Sequence, residues 1–128
     1  MKTKSNNHSS YMKKADQLFM VQFRGEPCAV CGKTQGTVGH HIVNKARSKA
    51  LRYDINNIIV LCQGHHMFSG ELAPHSTNTL AVARFIDWMR ENKRGQMEWC
   101  AANERIQRKY TFKDAVENMK EGRKAWDV

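Results

Sequence analysis

A chain of 128 residues with 41% hydrophobic content is long enough for a single domain with a modest core, and nothing in it demands a second one. The longest apolar run, Ile58 to Leu61, is far too short for a bilayer, and the opening MKTKSNNHSSYMKK holds nothing resembling an export signal. A cytoplasmic protein with no membrane partner is expected. Twenty-one Lys and Arg against twelve Asp and Glu leave a net charge of +9, which favours a polyanionic partner, DNA first.

In chain order, residues 1–8 read as a flexible polar leader that includes His8. A helix is predicted over 9–25, where Ser9 and Ser10 precede Tyr11, Ala15, Leu18, Phe19 and Phe23 at helical spacing and Gly25 and Pro27 end the run. Residues 26–72 form the core unit, in which GEPCAVCGKTQGTVGH suits a knuckle and hairpin, and NNIIVLC a short buried strand. The remainder, 76–125, is predicted helical. NTLAVARFIDWMRENKRG carries Leu80, Ala83, Phe85 or Ile86 and Met89 on one side, with Trp88 in the core and Gly95 as a stop. A weaker helix spans about Met97 to Ile106, and TFKD opens the last, with Thr111 as cap and Asp114 at the capping-box position. The class is α+β: a small antiparallel hairpin flanked by an N-terminal helix and C-terminal helices.

CAVC at 28–31 and CQGH at 62–65 each present two ligands two residues apart, with thirty residues between the pairs. Two tight turns of this kind aim four donors at one point, and Cys28, Cys31, Cys62 and His65 would close a tetrahedral Zn²⁺ site with no position left for substrate, which makes it structural. The alternative is a redox pair at Cys28 and Cys31 with Cys62 as a small buried hydrophobe. Cys100 has no partner in its stretch and reads as a packed free thiol.

If His65 serves zinc, His66 must serve something else, because neighbours on a helical turn point about 100° apart. It would face the strand that carries His40 and His41. Over roughly 28–70 these residues resemble an HNH endonuclease of the ββα-metal superfamily. That pattern has a metal ligand beside a general-base His on the first strand, an Asn five residues before a zinc Cys, and a His after the fourth zinc ligand. His40, His41, Asn57 and His66 fill those positions, although the family often has Asp where His40 stands, Cys where His65 stands, and a Pro after the base. LRYDINNI, SGELAP and the helical tail are more loosely similar to NinG-type phage recombination nucleases, which act on branched DNA.

The resemblance implies a zinc-stapled ββα-metal core that hydrolyses phosphodiesters. His41 would take the proton from water, His40 and His66 would hold one divalent ion at the scissile phosphate, and Asn57 would fix the loop or the His41 ring. Two imidazoles without a carboxylate form a poor cage for Mg²⁺, so Mn²⁺, Co²⁺ or Ni²⁺ is expected to serve better, with Asp54 the nearest candidate for an unseen carboxylate. Both neighbours can enter one site only if the strand ends or bulges there, and Gly39 makes a bulge plausible. Lys45, Arg47, Lys49 and Arg52 are candidate DNA-backbone contacts, the two arginines foremost. His75 reads as a surface histidine, with a third metal ligand or a further phosphate contact the alternatives. The rival function is a non-catalytic zinc-knuckle DNA-binding protein, which needs the charge and the Cys₃His site but not His40, His41 or Asn57. Oligomeric state, monomer or dimer, and DNA structure preference are open from sequence.

Overall fold

Ala15 and Phe19, four residues apart, are buried on the first helix, with Met12, Leu18 and Met20 partly buried beside them, the pattern that docks a helix by one side. The computed structural model describes residues 4–127, with side chains described from Ser9 onward. Helix α1, Lys4–Met20, runs into a tight turn at Val21–Phe23. It begins earlier than expected: of the proposed leader 1–8, residues 1–3 lie outside the described residues, and the backbone is helical from Lys4. Gly25 ends the segment with φ +82°, a conformation that favours glycine, and its N–H donates to Thr37 Oγ1 at 3.0 Å.

The sheet has two antiparallel strands, β1 (Val38–His41) and β2 (Ile58–Leu61), with Val38 opposite Leu61 and His41 opposite Ile58. Alternation along β2 sends Ile58 into one core, with Phe19, Tyr53, Phe112 and Val116, and Ile59 and Leu61 into a second, with Cys28, Cys62, Phe85 and Met89. The same alternation sends His41 toward Phe19, ring centroids 6.4 Å apart, and His40 toward Phe85, at 5.8 Å. The strand is regular rather than bulged, and it ends at His41.

Gly39 therefore has a different role from the one expected. A Cβ there would lie 2.9 Å from Phe23, 3.0 Å from Ile58 and 3.1 Å from the Met20 sulfur, so the glycine lets the end of α1 pack directly on the strand. Replacing Gly39 with Ala is expected to destabilise the fold by about 1–3 kcal/mol through overpacking. The check is a lowered urea midpoint at unchanged m-value, and an unchanged midpoint contradicts it.

Helix α2, Thr79–Asn92, is capped by Asn78, whose side chain accepts from Leu80 N–H at 3.0 Å. It buries Phe85 and Met89 as expected, together with Ala81 in place of Leu80 and Ala83; Leu80 is 61% exposed, Ala83 is exposed too, and Trp88 is only half-buried. Gly95 does not stop the helix: the break falls at Lys93, and Gly95 lies inside α3, Arg94–Asn103. Helix α4, Phe112–Lys120, carries the expected capping box, Asp114 N–H to Thr111 Oγ1 and Thr111 N–H to Asp114 Oδ2, both 3.0 Å. It packs on α1 through Phe112, Ala115 and Val116. Among the described residues, no helix is long and apolar enough to cross a membrane.

Candidate metal centres and cleft

The two knuckles converge. Gly32, at φ +77°, donates its N–H to Cys28 carbonyl at 2.8 Å and closes the first turn, and Ala29 N–H donates to Val60 carbonyl at 2.8 Å, pinning that turn to β2. After β2 the chain enters a wide helical turn, Gly64–Phe68, in which His66 N–H donates to Cys62 carbonyl at 2.8 Å and Ser69 N–H to Gly64 carbonyl at 2.7 Å. Cys31 Sγ then lies 3.8 Å from Cys62 Sγ, while His65 Nδ1 lies 3.4 Å from Cys62 Sγ and 3.9 Å from Cys28 Sγ. A tetrahedron with Zn–S bonds of about 2.3 Å has edges of about 3.8 Å, so the donor set is compatible with a structural zinc. Cys62 thus stands in the cluster and not apart as a lone hydrophobe.

Electrostatics at this cluster fit a dication. Burial raises the Cys28 thiol, but the N–H groups of Cys62, Cys31 and Val30 and the Cys31 side chain outweigh it and bring it down to about 6. The Lys33 N–H lowers Cys31, yet burial and the sulfurs of Cys28 and Cys62 leave it raised. Crowded sulfurs of this kind resist sharing negative charge until a cation joins them.

The turn that aims His65 at the sulfurs aims His66 the other way. His66 meets His40 at 5.2 Å between ring centroids, and His75 completes the group at 4.9 Å from His40 and 4.7 Å from His66. The rings stand at 66° to 84° to one another, with one nitrogen from each within 4.8 Å of the others. His75 reaches this position because its N–H donates to His66 carbonyl at 3.0 Å, folding the 69–78 loop back over the turn. Burial first, then the charges of His66, His75 and His41, pushes His40 down to about 3; burial and then His75 lower His66. The lone pairs of both are thereby kept free for a metal. Asp54 is absent from this group: its carboxylate accepts from Asn56 N–H at 2.9 Å and pairs with Arg108 at 2.8 Å.

His41 faces the other core. Its Nε2 donates to Arg52 carbonyl at 2.8 Å, which fixes the tautomer, because a carbonyl can only accept, and leaves Nδ1 with a lone pair. Burial lowers this ring more than the Arg52 carbonyl raises it, with Lys45 and the Arg52 guanidinium adding to the depression, so it is neutral at pH 7. Behind it, Asp16 accepts from Arg52 Nε at 3.0 Å, from the guanidinium's second nitrogen at 2.8 Å and from Tyr53 hydroxyl at 2.6 Å. Burial opposes the charge on Asp16, but Arg52 and Tyr53 hold its carboxyl below the usual range. Nothing in the sequence marks Asp16, which sits in a distant helix with no motif around it.

Asn57, fully buried, fixes the loop and not the ring. Its side chain accepts from Val43 N–H at 2.7 Å and donates to the carbonyls of Val43 and Leu51 at 3.0 and 3.2 Å. These bonds clamp both ends of the basic loop, and the next residue after Leu51 is the one whose carbonyl holds His41.

The four basic candidates separate. Arg52 is buried in its pair with Asp16 and acts within the fold in place of the expected DNA contact, whereas Lys49 stays exposed while donating to Tyr110 carbonyl at 2.6 Å, its ammonium near the Tyr110 and Phe112 rings. Arg47 stays exposed, 3.5 Å from Glu104, and Lys45 borders a cleft of about 760 Å³. That cleft takes in His40, His41, His66 and His75 together, with Arg24 also on its lining. The two neighbours on β1 thus share one cavity although their rings leave opposite faces of the strand. In comparison with known proteins, the chain matches no protein-family model, no curated protein and no solved structure.

Proposed function

We propose that this chain is a divalent-metal-dependent DNA endonuclease, with β1, β2 and the Gly64–Phe68 turn as an HNH-type ββα-metal core stapled by a structural zinc. The observation that carries the reading is the group of His40, His66 and His75 in one cleft with His41, whose Nε2 is committed to the Arg52 carbonyl. A merely DNA-binding zinc knuckle has no use for three converging imidazoles beside a fourth with an oriented lone pair.

His40, His66 and His75 are the residues that would hold the catalytic ion. When bound, that ion supplies positive charge at the scissile phosphate and at the departing 3′ oxygen. His41 accepts the proton of the attacking water at Nδ1, and the Arg52 carbonyl keeps the imidazolium that results from turning away. Asp16 lies within the same network and favours that positive charge. Asn57 keeps the 43–51 loop in register, so that the Arg52 carbonyl and the Lys45 ammonium stay where the reaction needs them. Lys45, Arg47 and Arg24 are the candidates for neighbouring phosphates, a contribution that weakens with salt.

The direct test is His41→Ala under single-turnover conditions with Mn²⁺. Loss of a positioned general base is expected to slow cleavage by about 10²–10⁴-fold while Mn²⁺ affinity holds. A mutant as fast as the wild type removes His41 from the chemistry.

A further inference from the structure

The cleft is larger and more apolar than a phosphate and a metal ion require. Beside the histidines it is lined by Met67, Val82, Ile86, Met89 and Met97, and its volume of about 760 Å³ falls in the range of pockets that enclose an organic ligand. Ile86 is 41% exposed and Met67 43%, so both stand bare to whatever enters. A sugar-phosphate backbone is charged along its length and gains nothing against such a surface. A nucleobase does, because its faces are flat and weakly hydrated and stack on apolar or thioether groups regardless of sequence. The basic groups Arg24 and Lys45 belong to the same lining and offer charge to the phosphates of such a strand. With a net charge of +9, the charge complementarity points to a nucleic acid as occupant.

A base inside a duplex is stacked and paired and cannot touch this wall. It reaches the wall only from a gap, a bulge, a branch point or a single strand, or after extrusion. We propose that the cleft takes a nucleic acid with an unpaired nucleotide next to the scissile phosphate, its base seated against Met67, Val82 and Ile86. This rests on the nuclease reading for the word scissile, and on the cleft alone for the base.

The test compares two labelled DNA duplexes of equal length, one fully paired and one with a single unpaired 2-aminopurine, bound with no divalent ion added. Wild type is expected to bind the second about tenfold more tightly, in line with the stacking of one base, and to change the 2-aminopurine fluorescence on binding. Ile86→Gln, an uncharged change at an exposed position, is expected to bring the ratio close to one while affinity for the paired duplex holds. Lys45→Ala is expected to weaken both duplexes alike. Equal wild-type affinity for the two, or a preference that survives Ile86→Gln, overturns the proposal. Cleavage of the same duplexes in Mn²⁺ separates the two readings: a binding preference without any cutting sinks the nuclease and leaves the base site, whereas equal binding and equal cutting do the reverse.

Discussion

Removing zinc with a strong chelator is expected to abolish the cooperative unfolding transition of this chain. Structural zinc sites of this donor type contribute about 10–16 kcal/mol, and a domain of ordinary stability has only about 5–15 kcal/mol in total. The cluster is also not peripheral. Cys28 and Cys62 are buried among Leu61, Phe85 and Met89, and the knuckle is hydrogen-bonded to β2 through Ala29 and Val60. Without a metal, three sulfurs and an imidazole crowd within 4.8 Å at the edge of that second core, Cys28 and Cys62 inside it and Cys31 exposed. Cys62→Ser is expected to lose the transition as well, whereas Cys100→Ser, at a thiol outside the cluster, keeps both the transition and one zinc per chain. Melting followed by circular dichroism, paired with elemental analysis, decides it. A zinc-free chain with an unchanged midpoint contradicts the assignment and returns Cys28 and Cys31 to the redox alternative.

The second large effect is the choice of catalytic ion. Mn²⁺, Co²⁺ or Ni²⁺ is expected to support cleavage at least about tenfold better than Mg²⁺ at equal concentration, because Mg²⁺ seeks oxygen and the cluster offers three imidazoles. The third imidazole sharpens the expectation formed from His40 and His66, and the commitment of Asp54 to Arg108 removes the nearest carboxylate that could have softened it. His75→Ala is expected to weaken Mn²⁺ binding and cleavage together, by about 10–100-fold. His75→Asp is expected to shift the preference toward Mg²⁺, because it exchanges a borderline nitrogen for a hard oxygen at the same place. Both are read by titrating activity against each ion, with Mn²⁺ affinity measured separately. Mg²⁺ as the best ion for the wild type contradicts the three-histidine centre.

What could be read from the sequence was chemistry set by short-range geometry. Each knuckle is a local turn whose spacing predicts that its two donors converge, and two such pairs in one chain suggest a common ion; the β1–β2 pairing brings them together across 31 to 37 residues. The divergence of His65 and His66 follows from the rotation per residue of any helical turn, and the Thr111–Asp114 capping box from positions three apart. What could not be read depends on where distant segments come to rest. His75 joins the centre only because the 69–78 loop returns to His66, which no pattern around Pro74 announces. A lysine or arginine in a loop does not reveal its direction: Asp16, 36 residues away, draws Arg52 into the fold, and Tyr110, 61 residues away, ties down the exposed Lys49. A glycine ahead of two histidines suggests a bulge, whereas the approach of Phe23 and Met20 gives Gly39 a packing reason. On α2, Phe85 and Met89 are legible as the buried face, whereas the choice of Ala81 over Leu80 and Ala83 at its start depends on where the second core lies.

Conversion of supercoiled plasmid to nicked circles in Mn²⁺ reports whether the proposed His40–His66–His75 centre hydrolyses DNA, with wild type set beside His66→Ala and zinc content measured in both. The expected result is nicking by the wild type and its loss in His66→Ala, with the structural zinc retained in each. Wild type that leaves the plasmid, single strands and bulged duplexes all intact, or His66→Ala that nicks at the wild-type rate, contradicts it.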